Sequence, residues 1–289
     1  MTAKAAVVGW PITHSLSPVL HGHWLRTYGI DGSYEKIAIP PDDFAARINE
    51  LKQAGYRGVN VTVPLKEAAF ALADARRAAA VNAGAANLLV FTEDGRIGAD
   101  NTDGTGLVDS LGQALGATWL GGKHVVLLGA GGAARGAIYA LYTHHVAKVT
   151  VLNRSPDRAC ALADHARTQA PDGNFAAGSL DDWPDIAPTA DLVINTTSAG
   201  MKGNPALDID LAPLPRDAAV CDIVYNPLET PLLAAAKARG LKAVDGLGML
   251  MHQAAPSFQA FFFQEMQGRM PEVTAELRAV LEKELAKGG

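Results

Sequence analysis

One stretch, Val125-Val126-Leu127-Leu128-Gly129-Ala130-Gly131-Gly132-Ala133-Ala134-Arg135, limits the possible folds more than any other. An apolar run breaks into glycines and resumes as helix-forming sequence, the pattern of a strand, a phosphate-binding turn and a helix. The spacing Gly129-x-Gly131-x-x-Ala134 has a physical reading: the first Gly makes the tight turn, the second lets backbone approach a diphosphate, and the small third residue lets helix pack on strand. The amides and positive dipole of the following helix N-terminus face any anion placed there. In a chain with 29 glycines a three-position pattern arises by chance, so its surroundings decide. Lys148-Val149-Thr150-Val151-Leu152 follows after a helix-length segment and completes a βαβ unit of about 30 residues. Further strands are expected near Asn174-Phe175-Ala176, Leu192 to Asn195, Val220 to Val224 and Lys242 to Val244. Near-continuous apolar strands alternating with helices specify a parallel sheet covered on both faces.

Where the second strand of the unit ends, the acid that would hold an NAD ribose hydroxyl is missing. Asn153-Arg154-Ser155 stands there, with Arg158 one helical turn further on. Two guanidiniums suit a 2′-phosphate, which favours NADP over NAD. The other reading of the pair is a solvated helix start.

At 289 residues the chain has room for two domains. Its net charge of −5 comes from interspersed acids and bases, without the basic footprint of a nucleic-acid binder or a polybasic membrane face. Small-molecule partners are expected. No signal-peptide core and no window of about 18 apolar residues occurs, so the expected location is the cytoplasm. The two cysteines, Cys160 and Cys221, fall in a helix and a strand and are expected to be packed thiols. No histidine spacing suggests a metal site.

The N-terminal half begins with the strand Ala5 to Gly9, which runs into the aperiodic Trp10 to Pro18. Loops at strand ends form the ligand crevice of open α/β sheets, and Ser15 and Ser17 alternate so as to aim at one polar ligand. Ser17 is also expected to cap a helix starting at Pro18. After a strand near Tyr34 to Ile39 and a helix from about Asp42 to Ala54 comes Tyr56 to Lys66. There Asn60 and Thr62 share one face and Pro64 ends the strand just before Lys66. A strand from Asn87 to Phe91 turns through Glu93-Asp94-Gly95-Arg96 into its hairpin partner, which leads to Asn101-Thr102-Asp103-Gly104. Asp103 is expected as a helix cap.

Several motifs agree in order and spacing over nearly the whole chain: Gly9 to Pro18, Asn60-Val-Thr-Val-Pro-Leu-Lys66, Asn87, Asn101 to Gly104, Gly129 to Arg135, Asn153 to Ser155 with Arg158, Asn195 to Met201, Tyr225-Asn226-Pro227 and Gly246 to Gln253. In these the sequence resembles the shikimate dehydrogenase family. The resemblance implies an α/β protein of two domains. Residues 1–103 with 247–289 would form an α/β substrate domain, to which the C-terminal helices return, and 104–246 a Rossmann-type, doubly wound NADP domain. It implies reversible, NADPH-dependent reduction of 3-dehydroshikimate to shikimate in aromatic amino-acid synthesis. Ser15, Ser17, Asn60, Thr62, Lys66, Asn87, Asp103, Tyr225 and Gln253 would hold the substrate, with Lys66 and Asp103 as the catalytic pair. Gly129, Ala130, Gly131, Gly132, Ala133, Asn153, Arg154, Ser155, Arg158, Thr196, Ile223, Gly246 and Met249 would hold the cofactor. A monomer or homodimer is expected. One departure stands out, because the family often carries Asn after the His that follows Ser-Pro, whereas here Gly22 follows His21. The competing readings are a quinate/shikimate dehydrogenase of the same fold and a non-catalytic NADP-sensing regulator. Arg154 with Arg158 argues against NAD use, and retention of Lys66 and Asp103 argues against the regulator.

Overall fold

The computed structural model describes residues 2–287. The chain forms two compact units: the first runs to Gly106 and resumes at Leu250, and the second spans Leu107 to Met249.

In the first unit, β1 (Ala3–Gly9), α1 (Ser17–Thr27), β2 (Gly32–Ala38), α2 (Phe44–Gln53) and β3 (Tyr56–Val61) alternate, and β1 pairs in parallel with both β2 and β3. They are followed by α3 (Lys66–Leu72), β4 (Ala75–Arg76), α4 (Ala78–Ala83), β5 (Leu88–Phe91) and β6 (Ile97–Asp100), and then by α5 (Asp103–Leu115), which begins in the first unit and continues into the second. The hairpin β5–β6 joins the sheet antiparallel to β3, giving the mixed order β2-β1-β3-β5-β6-β4. The short β4 and α4 leave no periodic signature in an Ala-rich stretch and are additions to the elements expected from the sequence.

The second unit contains β7 (His124–Leu128), α6 (Gly132–Thr143), β8 (Lys148–Asn153), α7 (Pro156–Gln169), β9 (Phe175–Ser179), α8 (Trp183–Ile186), β10 (Leu192–Asn195), β11 (Ala219–Asp222), α9 (Pro231–Ala238) and β12 (Lys242–Val244). All strand pairs are parallel in the order β12-β11-β10-β7-β8-β9, the doubly wound arrangement of dinucleotide-binding sheets. The core explains the unbroken apolar strands. Val125 and Leu127 enter one buried cluster while Val126 and Leu128 enter another, so both faces of β7 are covered. Cys221 is buried in β11 as expected, but Cys160 is exposed on α7, on the solvent side of an amphipathic helix.

The helices α10 (Gly246–Phe261) and α11 (Ala275–Lys287) end the described chain. Phe258, Phe261 and Phe262 of α10 and the turn after it pack around His21 and Trp24 of α1 and Tyr34 of β2. The Trp24 indole donates to the Glu272 carbonyl at 3.0 Å, which ties the segment before α11 to α1. The C-terminal helices thus complete the first unit's core.

His21 is fully buried there, stacked on Tyr34 with ring centroids 3.8 Å apart and planes within 2°. Among the described residues neither ring nitrogen has a hydrogen-bond partner. Burial opposes the charged form and holds the pKa down at about 3, against an ordinary value of 6.5. Below pH 6.5 the unfolded chain takes up a proton here that the folded chain refuses until about pH 3. Stability should therefore fall as pH drops through that window, by about 1.4 kcal/mol per pH unit from this group alone. Urea unfolding at stepped pH is the check. His21→Phe should show a shallower decline than wild type by about that slope, and equal slopes would contradict a buried neutral imidazole.

Candidate active site

In the first unit, Pro64 cannot donate to the β ladder, so β3 stops at Val61 and the chain turns, with the Leu65 amide donating to the Thr62 carbonyl at 2.9 Å. That turn makes Lys66 the first residue of α3. Asp103 is likewise the first residue of α5, one position inside the helix rather than capping it. Its carboxylate is occupied elsewhere: Oδ2 accepts from Lys66 Nζ at 2.6 Å and Oδ1 from Asn87 Nδ2 at 2.9 Å. The expected capping role passes to Asn101, whose Oδ1 accepts the Asp103 amide at 3.1 Å.

Both members of the pair are mostly removed from water, with side chains 13% and 7% exposed. In that setting a carboxylate at contact distance holds the ammonium in place far more firmly than a surface partner would. Asn87 fixes the pair from behind, its Oδ1 accepting the Thr102 amide at 2.8 Å while Nδ2 reaches Thr102 Oγ1 at 2.9 Å. Gln253 on α10 closes this side: Thr102 Oγ1 donates to its carbonyl at 2.8 Å, and its Oε1 lies 3.4 Å from Asn87 Nδ2. This approach requires Gly106, where a Cβ would stand 2.5 Å from that of Gln253.

Asn60 joins the cluster from β3, donating from Nδ2 to the Asn87 carbonyl at 3.2 Å. Thr62 follows the strand end beside Gly9 of β1. Ser17 does not cap α1; it is the first helical residue, buried, and its amide donates to Ser15 Oγ at 3.3 Å. The hydroxyl this frees lies near Tyr34, whose own hydroxyl donates to Asn60 Oδ1 at 2.7 Å. Burial pushes the Tyr34 phenol well above its ordinary range, so it stays a neutral donor. Thus Lys66, Asn87, Asp103 and Gln253 form one hydrogen-bonded set, Asn60 joins it through Asn87, and Ser15 and Ser17 form a second set linked to Asn60 by Tyr34. Tyr225 belongs to the second unit, in the loop after β11.

In that unit, Gly129 has φ +110° and sits where a Cβ would lie 2.6 Å from Thr197 Cγ2 and 2.9 Å from Thr196 Oγ1. Only Gly suits both the conformation and the space. Thr196, at the end of β10, donates from Oγ1 to the Leu128 carbonyl at 2.8 Å and so lies beside the Gly129 turn where the strand order reverses. Gly131 precedes α6 with open space at its Cβ position and without a side-chain cap, and Gly132 and Ala133 begin the helix. Uncapped amides above an open glycine turn that also includes Ala130 form a cradle for a diphosphate. Ala134 is fully buried, as the small third position of the fingerprint requires.

At the end of β8, Asn153 Nδ2 donates to the Ser155 carbonyl at 2.9 Å, which shapes the turn carrying Arg154. Arg154 and Arg158 are exposed, and among the described residues neither guanidinium has a hydrogen-bond or ion-pair partner. Two unpaired cations at this strand end fit a 2′-phosphate. Ile223 follows β11, with Gly246 against its carbonyl, and Met249 packs into the unit's core with 8% exposure. Sequence reasoning missed Asp222, a fully buried carboxylate that accepts from Asn195 Nδ2 at 2.9 Å and Thr230 Oγ1 at 2.7 Å. Burial raises its pKa, opposed by these donors. An Asp in an otherwise apolar strand was the available signal.

Residues 7–89 match the sequence profile of the shikimate dehydrogenase substrate binding domain, and 113–217 match that of shikimate / quinate 5-dehydrogenase. Shikimate dehydrogenase (NADP(+)) of Methylobacterium radiotolerans is 52% identical over 99% of this chain and 98% of that protein. The chain belongs to the shikimate dehydrogenase family. Among solved structures, the family member from Thermus thermophilus, in complex with NADP(H) and shikimate, aligns with a TM-score of 0.82 at 35% identity, covering 99% of both chains. Quinate dehydrogenase from Corynebacterium glutamicum in complex with NAD aligns with a TM-score of 0.86 at 30% identity, again over 99% of both. The fold by itself therefore does not separate a shikimate dehydrogenase from its quinate- and NAD-using relatives. That distinction rests on side chains.

Proposed function

We propose that this protein catalyses the reversible, NADPH-dependent reduction of 3-dehydroshikimate to shikimate, an NADP-dependent oxidoreductase step of aromatic amino-acid synthesis. The observation that carries the reading is the shielded Lys66–Asp103 pair at 2.6 Å, held from behind by Asn87 within a rim of polar side chains. Hydride addition to a ketone carbon turns the carbonyl into an alkoxide, which needs a proton donor within hydrogen-bond reach. Bound NADPH supplies that hydride. Lys66 holds the proton that the alkoxide oxygen takes, and in the oxidative direction takes it back from the hydroxyl. Asp103, with one oxygen on Lys66 and the other on Asn87, orients the ammonium and balances its charge. Ser15, Ser17, Asn60, Thr62, Tyr225 and Gln253 supply hydroxyl and amide groups for a carboxylated polyol.

For the cofactor, the Gly129 to Ala133 turn takes the diphosphate, Arg154 and Arg158 the 2′-phosphate, and Asn153 with Ser155 shapes the turn that presents them. Thr196, Ile223, Gly246 and Met249 would complete the cofactor site, with Met249 against the nicotinamide. In this reading the unit resuming at Leu250 is the substrate domain and the Leu107 to Met249 unit is the NADP domain. No helix among the described residues is long and apolar enough to cross a membrane. The proposal extends to a cytoplasmic monomer or homodimer whose partners are small molecules, not nucleic acid or membrane.

The test is the purified protein with shikimate and NADP. NADPH should form only when both are present, and its absence would overturn the reading.

A further inference from the structure

Asn60 makes contacts that restrict what it can offer a ligand. Its Nδ2 protons go to Ser257 Oγ at 2.8 Å and to the Asn87 carbonyl at 3.2 Å, and its Oδ1 already accepts from Tyr34. An amide has two protons and two carbonyl lone pairs, so only one lone pair on Oδ1 is left. Ser257 is fully buried on α10, four residues after Gln253, so the two side chains stand on the same helix face one turn apart. The Asn87 carbonyl, which can only accept and also receives the Val61 amide at 2.8 Å, sets which way the Asn60 amide points, and Ser257 Oγ takes the second Nδ2 proton and completes that hold.

We infer that Ser257 is a positioning residue for substrate binding: together with the Asn87 carbonyl it holds the Asn60 amide with Oδ1 outward, so that Asn60 accepts a hydrogen bond from a hydroxyl of the polyol substrate. This rests on the proposed place of Asn60 in the substrate site. Ser257→Ala leaves a buried Nδ2 proton without its acceptor, and the amide shifts to recover one, which moves Oδ1 off the position that meets the ligand. The structure assigns this effect to binding and not to hydride transfer, because Ser257 bonds to Asn60, while Lys66 and Asp103 bond to each other and to Asn87.

The experiment is steady-state kinetics of wild type, Ser257→Ala, Asn60→Ala and the double variant with shikimate and NADP. Ser257→Ala should raise the KM for shikimate roughly five- to thirtyfold while kcat and the KM for NADP stay within about twofold. The double variant should be no worse than Asn60→Ala alone, since the serine acts through that amide. A serine that merely supports the fold would lower the active fraction, and hence the apparent kcat, with KM unmoved. That result, or full additivity with Asn60→Ala, overturns the inference while leaving shikimate oxidation by the wild type intact. A wild type that does not oxidise shikimate overturns the functional reading and this inference together.

Discussion

Lys66→Ala is expected to lower kcat for shikimate oxidation by about 10²–10⁴-fold, the range a positioned proton carrier contributes. The KM for shikimate should change far less. The expectation follows from what surrounds the ammonium. Asp103 Oδ2 lies 2.6 Å away, and the side chains bonded around the pair are the neutral Asn87, Thr102 and Gln253. A water molecule admitted into the Lys66→Ala gap is a much weaker acid and is not held in place. Removing Lys66 also leaves the mostly buried Asp103 carboxylate with Asn87 as its remaining side-chain partner, so thermal unfolding should accompany the kinetics to separate lost folding from lost chemistry. Comparable losses in kcat and kcat/KM would mark an interaction made in the transition state. An unchanged kcat would remove Lys66 from the mechanism.

Arg154→Ala should raise the KM for NADP about 10- to 100-fold and leave the KM for NAD nearly unchanged. A charge-assisted contact to phosphate is worth about 1.5–3 kcal/mol, and the exposure of Arg154 places the effect toward the lower end. The guanidinium stands at the end of β8, where a 2′-hydroxyl reader would carry an acid, and it has no protein partner among the described residues to compete with a ligand. Arg158 is one helical turn away and supplies a second cation, so the double replacement should cost more for NADP than either single one. Equal losses for NADP and NAD would make Arg154 a surface arginine of no selectivity.

How much of the fold and site is legible in the sequence depends on the range of each interaction. The second unit's sheet is written locally: Val125 to Leu128 is apolar at every position because both faces of β7 are buried, and the glycine turn follows directly. The Asn60-to-Lys66 segment is legible for the same reason, since Pro64 ends the strand and places the lysine. Capping is where local reading fails, at both Ser17 and Asp103. Each has a residue type suited to an N-cap, but Tyr34 lies against Ser17, Lys66 binds Asp103, and each side chain turns inward. Local propensity loses there to a tertiary partner. Tyr34 and Ser257 are not legible at all, because a buried polar residue has meaning only through its partner, and Asp222 shows only as an acid in an otherwise apolar strand. Ser257 meets Asn60 across 197 positions of sequence. Space does not require the Gly22 departure, since a Cβ there would meet only the end of the flexible Arg26 side chain, at 3.4 Å.

The central claim, that this chain pairs shikimate chemistry with NADP, is tested most directly by kcat/KM for shikimate and quinate, each with NADP and NAD, on one preparation. The account predicts the highest value for shikimate with NADP, with quinate lower under either cofactor and NAD lower under either substrate. A higher kcat/KM for quinate, or for NAD, would contradict it.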